Sequence, residues 1–207
     1  GESVVVESGA MVARDSDVQM KTSMKGGLLK AAKRKLLGGE SLFLNTFTST
    51  AAGQRLYLAP AAEGDIKEMY VAGGRDLILQ SGAFVAAEPG VTLDTKWAGF
   101  KGFFSGEGLF FLRCTGDGKV LTCSYGGIHH VRLDGTAPYI VDTSHIVGFD
   151  DTLTFKIRKV GGIKSLFLSG EGLVCEFTGT GSLWIQTRNP GSLAAFLEPF
   201  RPMKSSD

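Results

Sequence analysis

Charge of one sign is missing from this chain of 207 residues: 22 Lys and Arg stand against 21 Asp and Glu, for a formal net charge of +1. No global field is available to hold a nucleic acid or an anionic surface, so any such contact must come from a local patch. Long apolar runs are also missing. The longest are about five residues, far short of the roughly 18 needed to cross a bilayer as a helix. Cysteine is scarce, with Cys114, Cys123 and Cys175 an odd set without C-x-x-C spacing. That usage gives no disulfide framework and fits a reducing compartment, hence a cytoplasmic protein. Catalytic signatures are missing too. There is no G-x-S-x-G elbow, no P-loop and no dinucleotide fingerprint. The histidines are His129, His130 and His145; neighbours on a strand point to opposite faces, so His129 and His130 cannot share a metal there. No cofactor and no metal are expected.

Glycine, by contrast, is abundant at 29 residues against 6 prolines, about twice the usual share of ~7%. This predicts many tight turns and many short strands. Hydrophobic residues at 43% with 21% charged residues describe a globular chain with enough length to bury a core. The chain starts at Gly1 on a strand-like segment, Ser3-Val4-Val5-Val6, which implies a longer natural polypeptide or a removed tag.

The sequence repeats itself. Glu7-Ser8-Gly9-Ala10-Met11-Val12-Ala13 matches Gln80-Ser81-Gly82-Ala83-Phe84-Val85-Ala86 and, more loosely, Asp142-Thr143-Ser144-His145-Ile146-Val147-Gly148. Downstream, Gly39-Glu40-Ser41-Leu42-Phe43 matches Gly106-Glu107-Gly108-Leu109-Phe110 and Gly170-Glu171-Gly172-Leu173-Val174, in the same order. The spacing of about 60 to 75 residues predicts three units, at 1–73, 74–135 and 136–190, with a tail at 191–207, all within one compact domain. Alternation in Val91-Thr92-Leu93-Asp94 and Leu153-Thr154-Phe155-Lys156-Ile157 marks half-buried strands. The continuous runs Val4-Val5-Val6 and Leu109-Phe110-Phe111-Leu112 mark strands covered on both faces. The expected fold is all-β: three β-sandwich or double-stranded β-helix-like repeats around a pseudo-threefold axis. A hairpin is expected at Gly116-Asp117-Gly118, and short helices only at Leu28–Leu37 and Ser192–Leu197.

These motifs resemble the altered-inheritance-of-mitochondria family. The likeness rests on Ser8-Gly9-Ala10-Met11-Val12, on Gly26-Gly27-Leu28-Leu29 with Lys33-Arg34 before Gly39-Glu40-Ser41-Leu42-Phe43, and on Ser105-Gly106-Glu107-Gly108-Leu109. It covers nearly the whole chain. The resemblance implies a fold similar to the tryptophan RNA-binding attenuation protein, ring assembly as in some relatives, and no catalytic residues to carry over.

The candidate contact surface is the segment 25–39, an insertion in the first unit with five basic residues and no acid: Lys25, Lys30, Lys33, Arg34 and Lys35. As a helix it would gather Leu28, Leu29, Ala32 and Leu36 on one stripe and could lie on an anionic membrane, each cation contributing about 1 kcal/mol; as a loop it would pack on a sheet edge or a neighbouring subunit. The repeated Glu40, Glu107 and Glu171 read as carboxylates holding turns, because equivalent surroundings do not split their pKa values as acid–base pairs require. Most Phe residues read as core, which leaves few platforms for RNA bases. The sequence therefore points to a non-enzymatic, self-associating scaffold, a ring or trimer, peripheral to a membrane or bound to a protein partner. The alternatives are a nucleic-acid-binding module using the same basic residues and a small-ligand binder or enzyme with a site between repeats.

Overall fold

The structure, a computed structural model, describes residues 1–24, 43–94, 111–159 and 173–201. Strands dominate it. The first set is β1 (Ser3–Glu7), β2 (Met11–Arg14), β3 (Gln19–Met24), β4 (Phe43–Thr48), β5 (Leu56–Leu58) and β6 (Ile66–Val71). The second is β7 (Leu77–Gln80), β8 (Phe84–Ala87), β9 (Val91–Asp94), β10 (Phe111–Gly116), β11 (Gly118–Cys123) and β12 (Ile128–Asp134). The third is β13 (Tyr139–Asp142), β14 (Ile146–Asp150), β15 (Thr154–Lys159), β16 (Leu173–Thr178) and β17 (Thr180–Gln186), followed by helix α1 (Pro190–Leu197).

One pairing scheme runs through all three sets. The fourth strand pairs antiparallel with the first and the third, and the fifth pairs with the second. Successive sets are joined the same way twice. The first strand of one set pairs with the second of the next, as β1–β8 and β7–β14. The sixth strand pairs with the fifth of the next set, as β6–β11 and β12–β17. The result is two six-stranded sheets, β3-β4-β1-β8-β11-β6 and β12-β17-β14-β7-β10-β9, flanked by the shorter sheets β2-β5 and β13-β16-β15. Among the described residues β13 and β2 do not pair with each other.

The sheets are layers with an apolar core in each gap. Between β2-β5 and the first six-stranded sheet lie Val6, Ala10, Val18, Phe47, Val85, Ala86 and Cys123. Between the six-stranded sheets lie Leu44, Leu79, Phe84, Leu112, Cys114 and Val120 among others. Between the second large sheet and β13-β16-β15 lie Ile78, Val141, Phe149, Cys175, Phe177 and Leu183. In β7, Leu77 and Leu79 face one core and Ile78 the next, which is why a strand covered on both faces reads as an uninterrupted apolar run.

The hairpin expected at Gly116–Gly118 does not form. β10 pairs with β7 and β9, whereas β11 pairs with β6 and β8, so the chain changes sheets there. The turn is held against its neighbour: Asp117 N–H donates to the Gly90 carbonyl at 3.2 Å. Gly116 has φ +104° and a Cβ on it would lie 2.2 Å from the Gly90 oxygen, a place only glycine can fill. The expected C-terminal helix is present as α1. Asn189 caps it by accepting from Gly191 and Ser192 N–H at 2.7 and 3.3 Å, and Pro190 takes the first turn, where its missing N–H is not needed. The expected helix at Leu28–Leu37 lies outside the described residues.

Candidate functional site

Lys25, Lys30, Lys33, Arg34 and Lys35 lie outside the described residues, as do Glu40, Glu107 and Glu171. What is described is their anchorage: β3 and β4 remain paired up to Met24 opposite Phe43, so the basic segment joins two paired strand ends. The histidines are dispersed. His129 and His130 lie on β12, with the His130 ring stacked on Trp184 at 5.2 Å and 14°. His145 Nδ1 donates to the Gln186 carbonyl at 2.7 Å. Among the described residues no three His, Cys, Asp or Glu side chains gather as a metal set. The three thiols are free and buried. Burial, and then nearby carboxylates, push Cys114 up to about 12, Cys175 up to about 12 and Cys123 up to about 11, so they are poor nucleophiles at neutral pH.

Exposed apolar side chains occur on β3 (Met20) and β6 (Ile66 and Tyr70), and also on the strands at either end of the set order. Met11 and Val12 on β2 and Tyr57 on β5 are exposed at one end, and Tyr139 and Ile140 on β13 at the other. Several of their counterparts inside the array are buried, while Leu121 and Trp184, which hold the place of Tyr57, are half-buried. Val12 is 64% exposed where Val85 is 1% and Val147 0%, and Ile140 is 60% exposed where Ile78 is 0%. The residue types are alike; among the described residues no further strand pairs with β2 or β13 on these sides. A second apolar patch is on α1 and the turn after it, where Leu193, Phe196, Leu197 and Phe200 are all exposed and the two Phe rings lie 5.7 Å apart.

Three carboxylates, one per set, support these strands. Asp15 accepts the backbone N–H of Arg55 at 2.8 Å, Glu88 that of Lys119 at 2.8 Å and Asp150 that of Ser182 at 2.7 Å. Each also closes a turn, with Val18, Val91 and Leu153 donating N–H to the carbonyls of Asp15, Glu88 and Asp150 at 3.0–3.1 Å. Each carboxylate thus ties the end of a second strand to the start of the fifth. The Asp15 carboxyl is held below its usual range by hydrogen bonds from the backbone and guanidinium of Arg55. From the sequence Asp150-Asp151 reads as a strand-entry turn, and Asp150 does close one; Asp15 and Glu88 drew no such reading, attention going to Glu40, Glu107 and Glu171. The signal was available: Asp15, Glu88 and Asp150 each lie eight residues after the first residue of the Ser8, Ser81 or Thr143 repeat motif, counting from Glu7, Gln80 and Asp142.

One open polar groove of about 620 Å³ runs between sets, lined by Tyr70, Arg75, Asp76, Arg132, Asp150 and Ser182 among others. Its carboxylates hold the fold. Asp76 accepts from Arg113 Nε at 2.6 Å, and Asp150 is bound to the Ser182 amide.

The described chain is thus a layered antiparallel β protein whose distinguishing surface is strand edge and apolar side chain. It belongs to the family described as Mitochondrial biogenesis AIM24, whose sequence model matches residues 1–188, in keeping with the resemblance read from its motifs. It is 30% identical over 214 residues to an uncharacterised protein of Streptococcus pyogenes serotype M6, covering 100% of this chain and 85% of the relative. It is also similar to the X-ray crystal structure of a Streptococcus pyogenes protein, with a TM-score of 0.77, 30% identity, and coverage of 97% of this chain and 90% of the other.

Proposed function

We propose that this protein is a non-enzymatic, self-assembling scaffold that acts through the ends of its strand array. The observation that carries this reading is the placement of exposed apolar side chains: Met11, Val12 and Tyr57 at one end, Tyr139 and Ile140 at the other. Bare strand edges carrying apolar residues are templates for further pairing, and contiguous apolar exposure marks a contact surface. Asp15, Glu88 and Asp150 each tie strands together by accepting a backbone N–H. Light scattering across a hundredfold range of protein concentration tests this. The expected result is a mass that rises above 22.0 kDa; a constant monomer mass would overturn it.

A second reading, attachment to the surface of an anionic membrane in the cytoplasm, is favoured by exposed Leu193, Phe196, Leu197 and Phe200 together with the cations of segment 25–39. No helix among the described residues is long and apolar enough to cross a membrane, so such attachment would be peripheral. Flotation with anionic and neutral liposomes, beside a variant with Lys30, Lys33, Arg34 and Lys35 changed to Ser, tests it. Binding to anionic vesicles that is lost in the variant supports this attachment, and absence of binding ends it.

A further inference from the structure

One residue of the third set departs from its counterparts where the polar groove lies. Arg55, Lys119 and Ser182 hold the same place at the start of the fifth strands, each donating its backbone N–H to the turn carboxylate of its set. In the first two sets this side chain is a long cation paired with an acid, Arg55 with Asp15 at 3.2 Å and Lys119 with Glu68 at 3.2 Å. In the third it is a serine, 7% exposed. The Ser182 hydroxyl has no hydrogen-bond partner among the described residues, and the residue lines the groove. A short side chain here leaves open the room that Arg55 and Lys119 fill in their own sets.

The strand register builds the floor. Arg132 stands directly opposite Ser182, and Asp150 opposite Leu77. Asp150 and Ser182 continue the β14–β17 register beyond Phe149 and Leu183. These four residues therefore form one row across β12, β17, β14 and β7, and neighbours in such a row share a face of the sheet. Leu77 belongs to the core between the two large sheets, so the row faces the first of them. Tyr70, Ala72, Gly73 and Arg75, from the end of β6 and the turn after it, line the same groove.

Charge is unevenly spent in the groove. Asp76 is held by Arg113 through Nε at 2.6 Å and Nη2 at 2.5 Å, and Asp150 accepts the Ser182 N–H. Glu68, beside Tyr70, takes the Tyr70 hydroxyl at 2.6 Å and Lys119 at 3.2 Å. The guanidinium groups of Arg75 and Arg132 have no ion pair or hydrogen bond among the described residues. Guanidinium forks match the oxygens of phosphate and carboxylate. Here the free donors come from three segments of the chain, which suits a tetrahedral oxyanion better than a planar one. At about 620 Å³ the groove has the size of a small-molecule site, roughly 300–1,000 Å³. We propose that this groove binds the phosphate group of a small phosphorylated molecule, with Arg75 and Arg132 as the cationic donors and the Ser182 hydroxyl as the donor at the floor. The proposal does not depend on the scaffold reading, because every residue it uses belongs to one copy of the chain.

Titration calorimetry of the full chain with glycerol 3-phosphate, inorganic phosphate, malonate and glycerol tests it. The expected result is saturable binding of glycerol 3-phosphate with Kd no weaker than about 5 mM, weaker binding of inorganic phosphate and malonate, and none of glycerol. Arg75→Gln and Arg132→Gln should each weaken it about tenfold, the loss of a charge-assisted hydrogen bond. Both side chains are exposed, so the urea midpoints of these variants should match the parent. Ser182→Lys, which installs the residue of the second set, should abolish binding; where that variant does not fold, the arginine variants carry the test. A variant with Lys30, Lys33, Arg34 and Lys35 changed to Ser should bind as the parent does. Absence of saturable binding of glycerol 3-phosphate overturns the proposal. So does binding that survives both arginine changes, which places the anion elsewhere, or tighter binding of malonate, which makes the site one for carboxylates.

Discussion

β2 and β8 hold the same place in successive sets, carry alike sequences and live in opposite surroundings. Met11-Val12-Ala13-Arg14 is exposed throughout; Phe84-Val85-Ala86-Ala87 is buried throughout. Both pair with the fifth strand of their own set, but only β8 also pairs with the first strand of the preceding set. The comparison teaches that burial in this fold is decided by what stacks next to a set. Apolar composition alone does not decide it, and the same amino acids serve as core in one set and as contact surface in another.

The comparison breaks most sharply at the first residue of each strand. Phe84→Ala empties the core between the two large sheets and should cost about 3–5 kcal/mol in urea unfolding; a loss below 1 kcal/mol would mean that this layer is loosely packed. Gly148→Val, which drives a side chain into Leu79 and the Ile78 carbonyl, should cost about 1–3 kcal/mol, with Gly148→Ala in between. The strand-tying carboxylates rank next. Asp150→Ala leaves the Ser182 amide without its partner and should cost about 1–3 kcal/mol, while Asp15→Ala in the first set should cost visibly less. Equal losses would show that the end set is as firmly held as the inner ones.

The buried thiols add a pH dependence. Their folded pKa values are raised from 9.0 to about 11 or 12, so the unfolded chain ionises first as pH rises. Stability is retained below pH 9 and falls between pH 9 and about 12, by up to about 1.4 kcal/mol per pH unit for each thiol. Urea midpoints at pH 8 and pH 10.5 would register the fall, and Cys114→Ala should make it shallower while Cys123 and Cys175 still contribute. Smallest of all is Met11→Ala, expected within about 0.5 kcal/mol of the parent because the Met11 side chain is exposed.

The all-β class was legible because alternation and short glycine-bounded runs leave little room for helices, and Asn189-Pro190 announced α1 through its capping chemistry. The Gly116–Gly118 turn misled because a short glycine turn between two apolar runs looks the same whether the strands pair or diverge into separate sheets. Only the distant Gly90 turn decides which. The glutamates drew attention through their repeated neighbours, whereas Asp15, Glu88 and Asp150 act through amides roughly 30 to 40 residues away, a distance that periodicity does not reach. The exposed end strands were hidden for a related reason: Val12 and Val85 look identical until the layers beside them are counted.

Hydrogen exchange followed by mass spectrometry, at low and high protein concentration, tests the central claim most directly. Amides of 11–14 and 139–142 should become protected together as concentration rises, while those of β8 and β14 stay protected throughout. If β2 and β13 exchange equally fast at every concentration while the mass of the particle grows, the copies meet elsewhere and the account of the two ends is contradicted.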